Sequence, residues 1–212
     1  MEIKGVMGGM HRMADWVMRL SYLNILWVVF SLLGLGVLGI FPATTAMFTV
    51  IRKWLLGESD IRVVKVFWST YRKEFGRSNG IGSIVSLLGY TLYLDYQILS
   101  NAPDMLSNIL YFPLAAIIIG YIIFICYLFP VLVHYDIKLF QVFKNAFFIM
   151  FLNPLASGMM IVFCLVLYLL MTAIPGVIPF LAASLFSLVS MWNALIAFSK
   201  IDQKKVMVKT TK

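Results

Sequence analysis

Long apolar segments alternate with short basic segments along this chain of 212 residues. No Lys or Arg occurs in residues 20–51, 78–137 or 145–199. A helix needs about 20 residues to cross a bilayer core of ~30 Å. These segments are continuously apolar, without the alternation of a barrel strand. The pattern therefore predicts an all-α protein, a polytopic bundle of transmembrane helices that forms one domain over residues 1–212.

Turn residues divide the apolar segments into predicted spans. Residues 101–104 interrupt the second segment and Pro175-Gly176 interrupts the third, so each is expected to cross twice. The first segment, with 32 residues, is long for one helix and short for two. A hairpin that turns near Phe41-Pro42 gives six membrane-embedded helices with a short second arm, whereas a single crossing gives five full spans. The predicted spans are 20–41, 42–57 (the short arm), 80–99, 109–133, 146–174 and 179–199.

The composition excludes the soluble and the disordered classes. Apolar residues make up 62% of the chain and charged residues 12%, whereas a soluble domain has about 25% charged residues. A disordered chain is polar and poor in aromatic residues, but 15% of these residues are aromatic.

The net charge of +8 is distributed in a way that predicts orientation. Loops that carry Lys and Arg stay in the cytoplasm. Residues 52–77 carry seven of the 17 basic residues, residues 138–144 carry two, and the basic tail 200–212 carries five. All 17 lie on one side only if the first segment is a hairpin, so we expect both termini in the cytoplasm. Because topology explains the charge, no nucleic-acid partner is expected.

Residues 59–77 are predicted to form an amphipathic helix at the cytoplasmic surface. Ile61, Val64, Trp68, Tyr71 and Phe75 recur at steps of three and four. Val63 and Phe67 widen this apolar face, and basic residues occupy the other faces. One interpretation places this helix among the headgroups of anionic lipids in the inner leaflet. The other makes it a docking surface, like the short helix that a transporter permease presents to an ATPase. The predicted partner or lipid interface comprises Arg52, Lys53, Trp54, Arg62, Lys65, Trp68, Arg72 and Lys73.

Few residues are available for chemistry. The spacing of the His, Cys and acidic residues matches neither a metal site nor a catalytic triad, so we expect no enzyme activity, no metal and no cofactor. Cys126 and Cys164 are expected to be small buried hydrophobes and not a disulfide pair. Polar groups inside a membrane are candidate functional residues, although each also has a structural explanation as a helix cap or an interhelical hydrogen bond. The candidate binding residues are Asp95, His134, Asp136, Asn153 and Asn193.

One segment resembles a known family. Residues 34–58, GLGVLGIFPATTAMFTVIRKWLLGE, together with Phe67-Trp68 and residues 71–75, resemble the YesL-type family of small bacterial integral membrane proteins, a family of unknown function. The resemblance covers nearly the whole chain. It implies a bacterial cytoplasmic (inner) membrane location and an association with carbohydrate uptake and polysaccharide breakdown. It implies no established catalytic residue. Its most specific positions are Gly39, Phe41, Pro42, Ala43, Arg52, Lys53, Trp54, Gly57 and Glu58.

Two functional hypotheses follow. The first is a non-enzymatic membrane protein that is an accessory or a component of carbohydrate uptake, with residues 59–77 facing a partner or lipid. The alternative is an autonomous transporter or channel for a small solute, acting as an oligomer. Its path would be lined by Asp95, Asn153, Asn193 and His134. The expected partners are anionic lipids, transporter subunits or further copies of the chain.

Overall fold

A computed structural model describes residues 6–101, 104–135, 137–173 and 178–210. All the regular structure in these four ranges is helical, which confirms the predicted all-α bundle. The helices are α1 (Val6–Leu33), α2 (Val37–Leu55), α3 (Val63–Ser100), α4 (Asp104–His134), α5 (Leu139–Leu152), α6 (Pro154–Ala173) and α7 (Ile178–Thr210). Within the described ranges, the stretches long and apolar enough to cross a membrane are Met13–Leu33, Ile109–His134, Pro154–Ala173 and Phe180–Lys200, and α5 is a shorter apolar helix.

Helices α1 and α2 form the predicted hairpin, but its turn precedes Pro42. The chain reverses at residues 34–36, where Leu35 and Gly36 have φ values of 60° and 73°. Proline is fixed near φ −65° and cannot supply this conformation, so Pro42 lies inside α2 instead. The predicted spans 20–41 and 42–57 are therefore wrong at their shared boundary. The centroids of the Trp16 and Trp54 rings lie 6.2 Å apart, so α1 contacts the last turn of α2 at the end of the hairpin opposite the turn.

Helix α2 is the central helix of the bundle. It contacts α1, α3, α4 and α7, and 10 of its 19 residues are buried, so most of its surface faces protein. Each of its threonines donates its hydroxyl to the carbonyl four residues earlier in the same helix: Thr44 to Ile40 (2.7 Å), Thr45 to Phe41 (3.1 Å) and Thr49 to Thr45 (2.9 Å). The helix thereby satisfies part of its own hydrogen bonding.

Helix α3 merges two predicted elements. It runs unbroken over 38 residues, so the predicted helix 59–77 and the predicted span 80–99 are not separate. The helix continues through Ser78 because this residue is buried and hydrogen-bonded to Thr45 at 2.7 Å. Only part of the predicted apolar face is buried. Phe67 and Tyr71 are buried, whereas Val64 and Trp68 are 48% and 45% exposed.

The predicted spans 109–133 and 179–199 lie within α4 and α7. The α7 helix continues into the basic tail as far as Thr210. The predicted span 146–174 is broken at Asn153, because Pro154 disfavours a helical conformation in the residue before it. At this break, Ser157 Oγ donates to the Met150 carbonyl at 2.9 Å. The turns predicted at Pro103 and Pro175-Gly176 lie outside the described residues.

Candidate functional site

The predicted binding residues lie in different surroundings. Asp95 is exposed on α3 and borders an apolar cavity of about 360 Å³ between α3 and α4. Asn153 donates its side-chain amide to the Ile149 carbonyl at the α5–α6 break, 3.4 Å away. Asn193 is fully buried in α7 and donates to the Val189 carbonyl at 3.0 Å. These contacts are local, and they do not join the three residues into one path. Asp136 lies outside the described residues.

His134 is the predicted residue that does border a polar cavity, which we name the basic pocket. This cavity has a volume of about 310 Å³, far more than the ~10–15 Å³ that one water molecule requires. It lies between α2, α3 and the last turn of α4. Its lining residues are Thr45, Thr49, Arg52, Thr70, Lys73, Glu74, Arg77, Leu132, Val133 and His134.

Arg52 and His134 join two walls of the basic pocket. Arg52 Nε donates to His134 Nδ1 at 3.3 Å, so Nδ1 is an unprotonated acceptor in this arrangement. The imidazole is held in place by the Phe198 ring, whose centroid is 4.6 Å away. Arg52 lies in the last turn of α2, where a cation also interacts favourably with the helix dipole.

The α3 wall carries both signs of charge. Glu74 lies 3.4 Å from Arg77 and 3.9 Å from Lys73. Arg77 also donates to the carbonyl of Ile137, in the connection between α4 and α5. The Lys73 side chain is 73% exposed, whereas those of Glu74 and Arg77 are 14% and 21% exposed. Lys73 therefore lies at the mouth of the pocket and the other two lie further inside.

Three threonines, Thr45, Thr49 and Thr70, add polar surface to the basic pocket. Thr45 is 1% exposed and shares its hydrogen bond with the fully buried Ser78, so this part of the wall is fixed. Three cationic side chains against one carboxylate leave an excess of positive charge among the described lining residues. Such a cavity is chemically suited to an anion.

The residues of the predicted interface separate into two groups. Trp54 is only 6% exposed, because it packs against Trp16 and under the Arg19 guanidinium, so the prediction that it faces lipid is wrong. Arg52 lines the basic pocket instead of an outer surface, and Lys53 forms an ion pair with Glu58 at 2.6 Å. The exposed group is Arg62, Lys65, Trp68, Arg72 and Lys73.

Several contacts could not be predicted from the sequence. The threonines of α2 and Glu74 and Arg77 of α3 gave no signal, because their convergence depends on how the helices pack. Asn24, inside α1, accepts a hydrogen bond from the Ser184 backbone N–H at 3.2 Å. The thiols of Cys126 and Cys164 are free but lie 4.0 Å apart, so the two residues are neighbours across α4 and α6. In the described part of the chain, no three His, Cys, Asp or Glu residues are grouped to hold a metal ion.

Comparison with known proteins identifies relatives along nearly the whole chain. The family model described as "Protein of unknown function, DUF624" matches residues 20–96. This range includes the α2 and α3 walls of the basic pocket. No solved structure matches.

Three relatives come from Bacillus subtilis (strain 168). The uncharacterized protein YteU is 37% identical over 96% of this chain and 91% of its own length. The uncharacterized protein YesL is 38% identical over 96% of both chains. The uncharacterized protein YesV is 40% identical over 88% of this chain and 89% of its own length. This chain is therefore a member of the DUF624 family of proteins of unknown function, to which the resemblance in residues 34–58 had pointed.

Proposed function

We propose that this chain is a non-enzymatic, multi-pass protein of the bacterial cytoplasmic membrane that serves carbohydrate uptake as an accessory or component. In this proposal both termini are cytoplasmic, and the first half of α3 binds a cytoplasmic partner. The carbohydrate assignment rests on the family resemblance. The partner assignment rests on the length and surface of α3.

The length of α3 carries the proposal. Its 38 residues extend about 57 Å at ~1.5 Å per residue, against a hydrocarbon core of ~30 Å. Transmembrane helices tilt by up to ~40°, and at that angle α3 would still cover about 44 Å along the membrane normal. Part of α3 therefore extends beyond the hydrocarbon core as a rod, which favours a partner-facing element over a separate helix lying among the headgroups.

The surface of this rod has the chemistry of a binding face. We define the α3 basic face as Arg62, Lys65, Trp68 and Arg72, all of which are exposed. The Arg72 guanidinium lies 5.6 Å from the Trp68 ring centroid, within the range of a cation–π contact. Tryptophan and arginine are enriched where proteins bind one another. The partner expected for this face is an acidic protein surface.

Site-specific photo-crosslinking in native membranes tests the partner. A benzophenone amino acid at Val64, beside the basic face, should give an adduct with a second protein, and mass spectrometry should identify it. Leu87 is the matched control, because it is 67% exposed in the second half of the same helix. Only lipid adducts at Val64, or the same protein adducts at both positions, would contradict the partner proposal.

An uptake assay tests the carbohydrate assignment. A strain lacking this protein should take up labelled oligosaccharide more slowly, and the wild-type chain should restore the rate. The variant Arg62→Glu/Lys65→Glu/Arg72→Glu should insert normally yet fail to restore uptake, because its charge would repel an acidic partner. Unchanged uptake in the deletion strain would remove the carbohydrate role.

A further inference from the structure

We propose that the basic pocket is a binding site for a phosphate group, held by Arg52 with Lys73. This site is independent of the α3 basic face, since it lies between helices α2, α3 and α4. The phosphate group belongs either to an anionic lipid headgroup or to a soluble phosphate compound.

The placement of Arg52 is the first argument. An arginine in the last turn of a membrane helix usually extends to the headgroups, but Arg52 is half-buried and turned toward His134. Because Nε donates to His134 Nδ1, the two Nη groups are the donors through which Arg52 would bind a ligand. A guanidinium fork of this kind matches two oxygens of a phosphate group.

The charge balance is the second argument. Glu74 lies within ion-pair distance of both Lys73 and Arg77, so the one carboxylate among the described lining residues is shared by two cations. Arg52 has its Nε contact with a neutral imidazole nitrogen. A half-buried guanidinium such as that of Arg52 is costly without an anion, and a bound phosphate group would offset that cost.

The shape of the basic pocket is the third argument. Lys73 lies at the mouth with a 73% exposed side chain, while another part of the wall is formed by the buried Thr45, which Ser78 holds through a hydrogen bond. The long lysine side chain can reach a phosphate group that enters from the mouth. A phosphate group inside would then meet cationic donors from both α2 and α3.

Binding to the purified protein tests the site. The protein is prepared in a maltoside detergent, and inorganic phosphate is titrated by calorimetry. A parallel sample is incubated with phosphatidylglycerol or with neutral diacylglycerol, and the retained lipid is measured by native mass spectrometry. Binding of inorganic phosphate identifies a soluble ligand, whereas selective retention of phosphatidylglycerol alone identifies a lipid headgroup.

Two variants connect binding to the pocket. Arg52→Gln should weaken binding roughly ten- to a hundredfold, the range expected for losing a hydrogen bond between charged groups. Arg72→Gln is the control, because it removes an exposed arginine outside the pocket and should bind like the wild type. Arg52→Lys keeps the charge but loses the fork, so it should fold and bind with intermediate affinity.

The results that would overturn the proposal are equally definite. Neither phosphate nor phosphatidylglycerol bound by the wild type would overturn it, and so would equal losses in the Arg52 and Arg72 variants. If Arg52→Lys and Arg52→Gln both bind with wild-type affinity, the Arg52 guanidinium does not bind the phosphate group. These measurements use the chain alone, so they are separate from the crosslinking test of the partner.

Discussion

The substitution Gly39→Ala tests the close packing of the α1–α2 hairpin. A Cβ atom at this position would collide with the carbonyl oxygen of Ser31 and lie 2.9 Å from that of Phe30. Favourable carbon–oxygen contacts are about 3.3–3.6 Å long, so helix α1 would have to move away from α2. The atoms in the way belong to the backbone and cannot change rotamer.

The expected cost follows from these contacts. Overpacking of this kind costs about 1–3 kcal/mol. Gly76→Ala is the matched control, because that glycine is also helical and a Cβ there has no neighbour within 4 Å. An alanine in place of a glycine inside a helix gains up to ~1 kcal/mol. Because that gain applies to both variants, they should differ in stability by the overpacking cost of about 1–3 kcal/mol.

Thermal unfolding in detergent measures this difference. For a chain of about 200 residues, 1 kcal/mol corresponds to ~2–4 °C in Tm, so Gly39→Ala should melt about 2–12 °C below Gly76→Ala. Equal melting temperatures for the two variants would refute the hairpin geometry, including the turn at residues 34–36. A loss in Gly76→Ala alone would refute the packing assigned to α3.

Three further predictions test other contacts. Oxidation with copper phenanthroline should join Cys126 to Cys164 by a disulfide within one chain, because their sulfur atoms lie 4.0 Å apart. Mass spectrometry should show the loss of two hydrogen atoms. Persistence of both free thiols would contradict the packing of α4 on α6. A cysteine in place of Leu35, which is 85% exposed in the hairpin turn, should react with an impermeant maleimide added outside the cell. A cysteine in place of Lys53 should react only after the membrane is permeabilised. The reverse pattern would show that the proposed orientation is inverted. Asn24→Leu should lower the free energy of unfolding by about 0.6 kcal/mol, and by no more than ~1.7 kcal/mol, because it removes the hydrogen bond to Ser184. The control is Val28→Ala, whose 38% exposed side chain lies on the same helix. If Asn24→Leu lowers the free energy of unfolding no more than this control, the hydrogen bond contributes nothing.

The helical class and the apolar parts of α4 and α7 could be predicted because apolar length alone determines them. The errors occurred where local signals competed. Pro42 was assigned the turn because proline commonly marks chain reversals, but the reversal needs positive φ, which residues 35 and 36 supply. Ser78 was taken as a gap between two helices, because the sequence does not show that Thr45 hydrogen-bonds to it.

The basic pocket could be predicted only in part. Arg52, Lys73 and His134 were selected from the sequence, but for an interface or a transport path. Their meeting depends on the packing of α2 and α3 against the end of α4, because the three residues are 21 to 82 positions apart in the chain. No local pattern encodes such a distance. Asn193 was selected because it is polar within a span, yet its contact is with its own helix.

The central position of α2 has a consequence for biogenesis. Helix α2 follows α1 after only residues 34–36, so in the proposed topology the two helices enter the bilayer together as one hairpin. Its neighbours α3, α4 and α7 are synthesised later. Until they arrive, α2 is exposed to lipid, where unsatisfied polar groups are costly. The bonds of Thr44, Thr45 and Thr49 to carbonyls of their own helix remove that cost from the beginning. The hairpin can therefore remain stable in the membrane until the rest of the bundle is inserted.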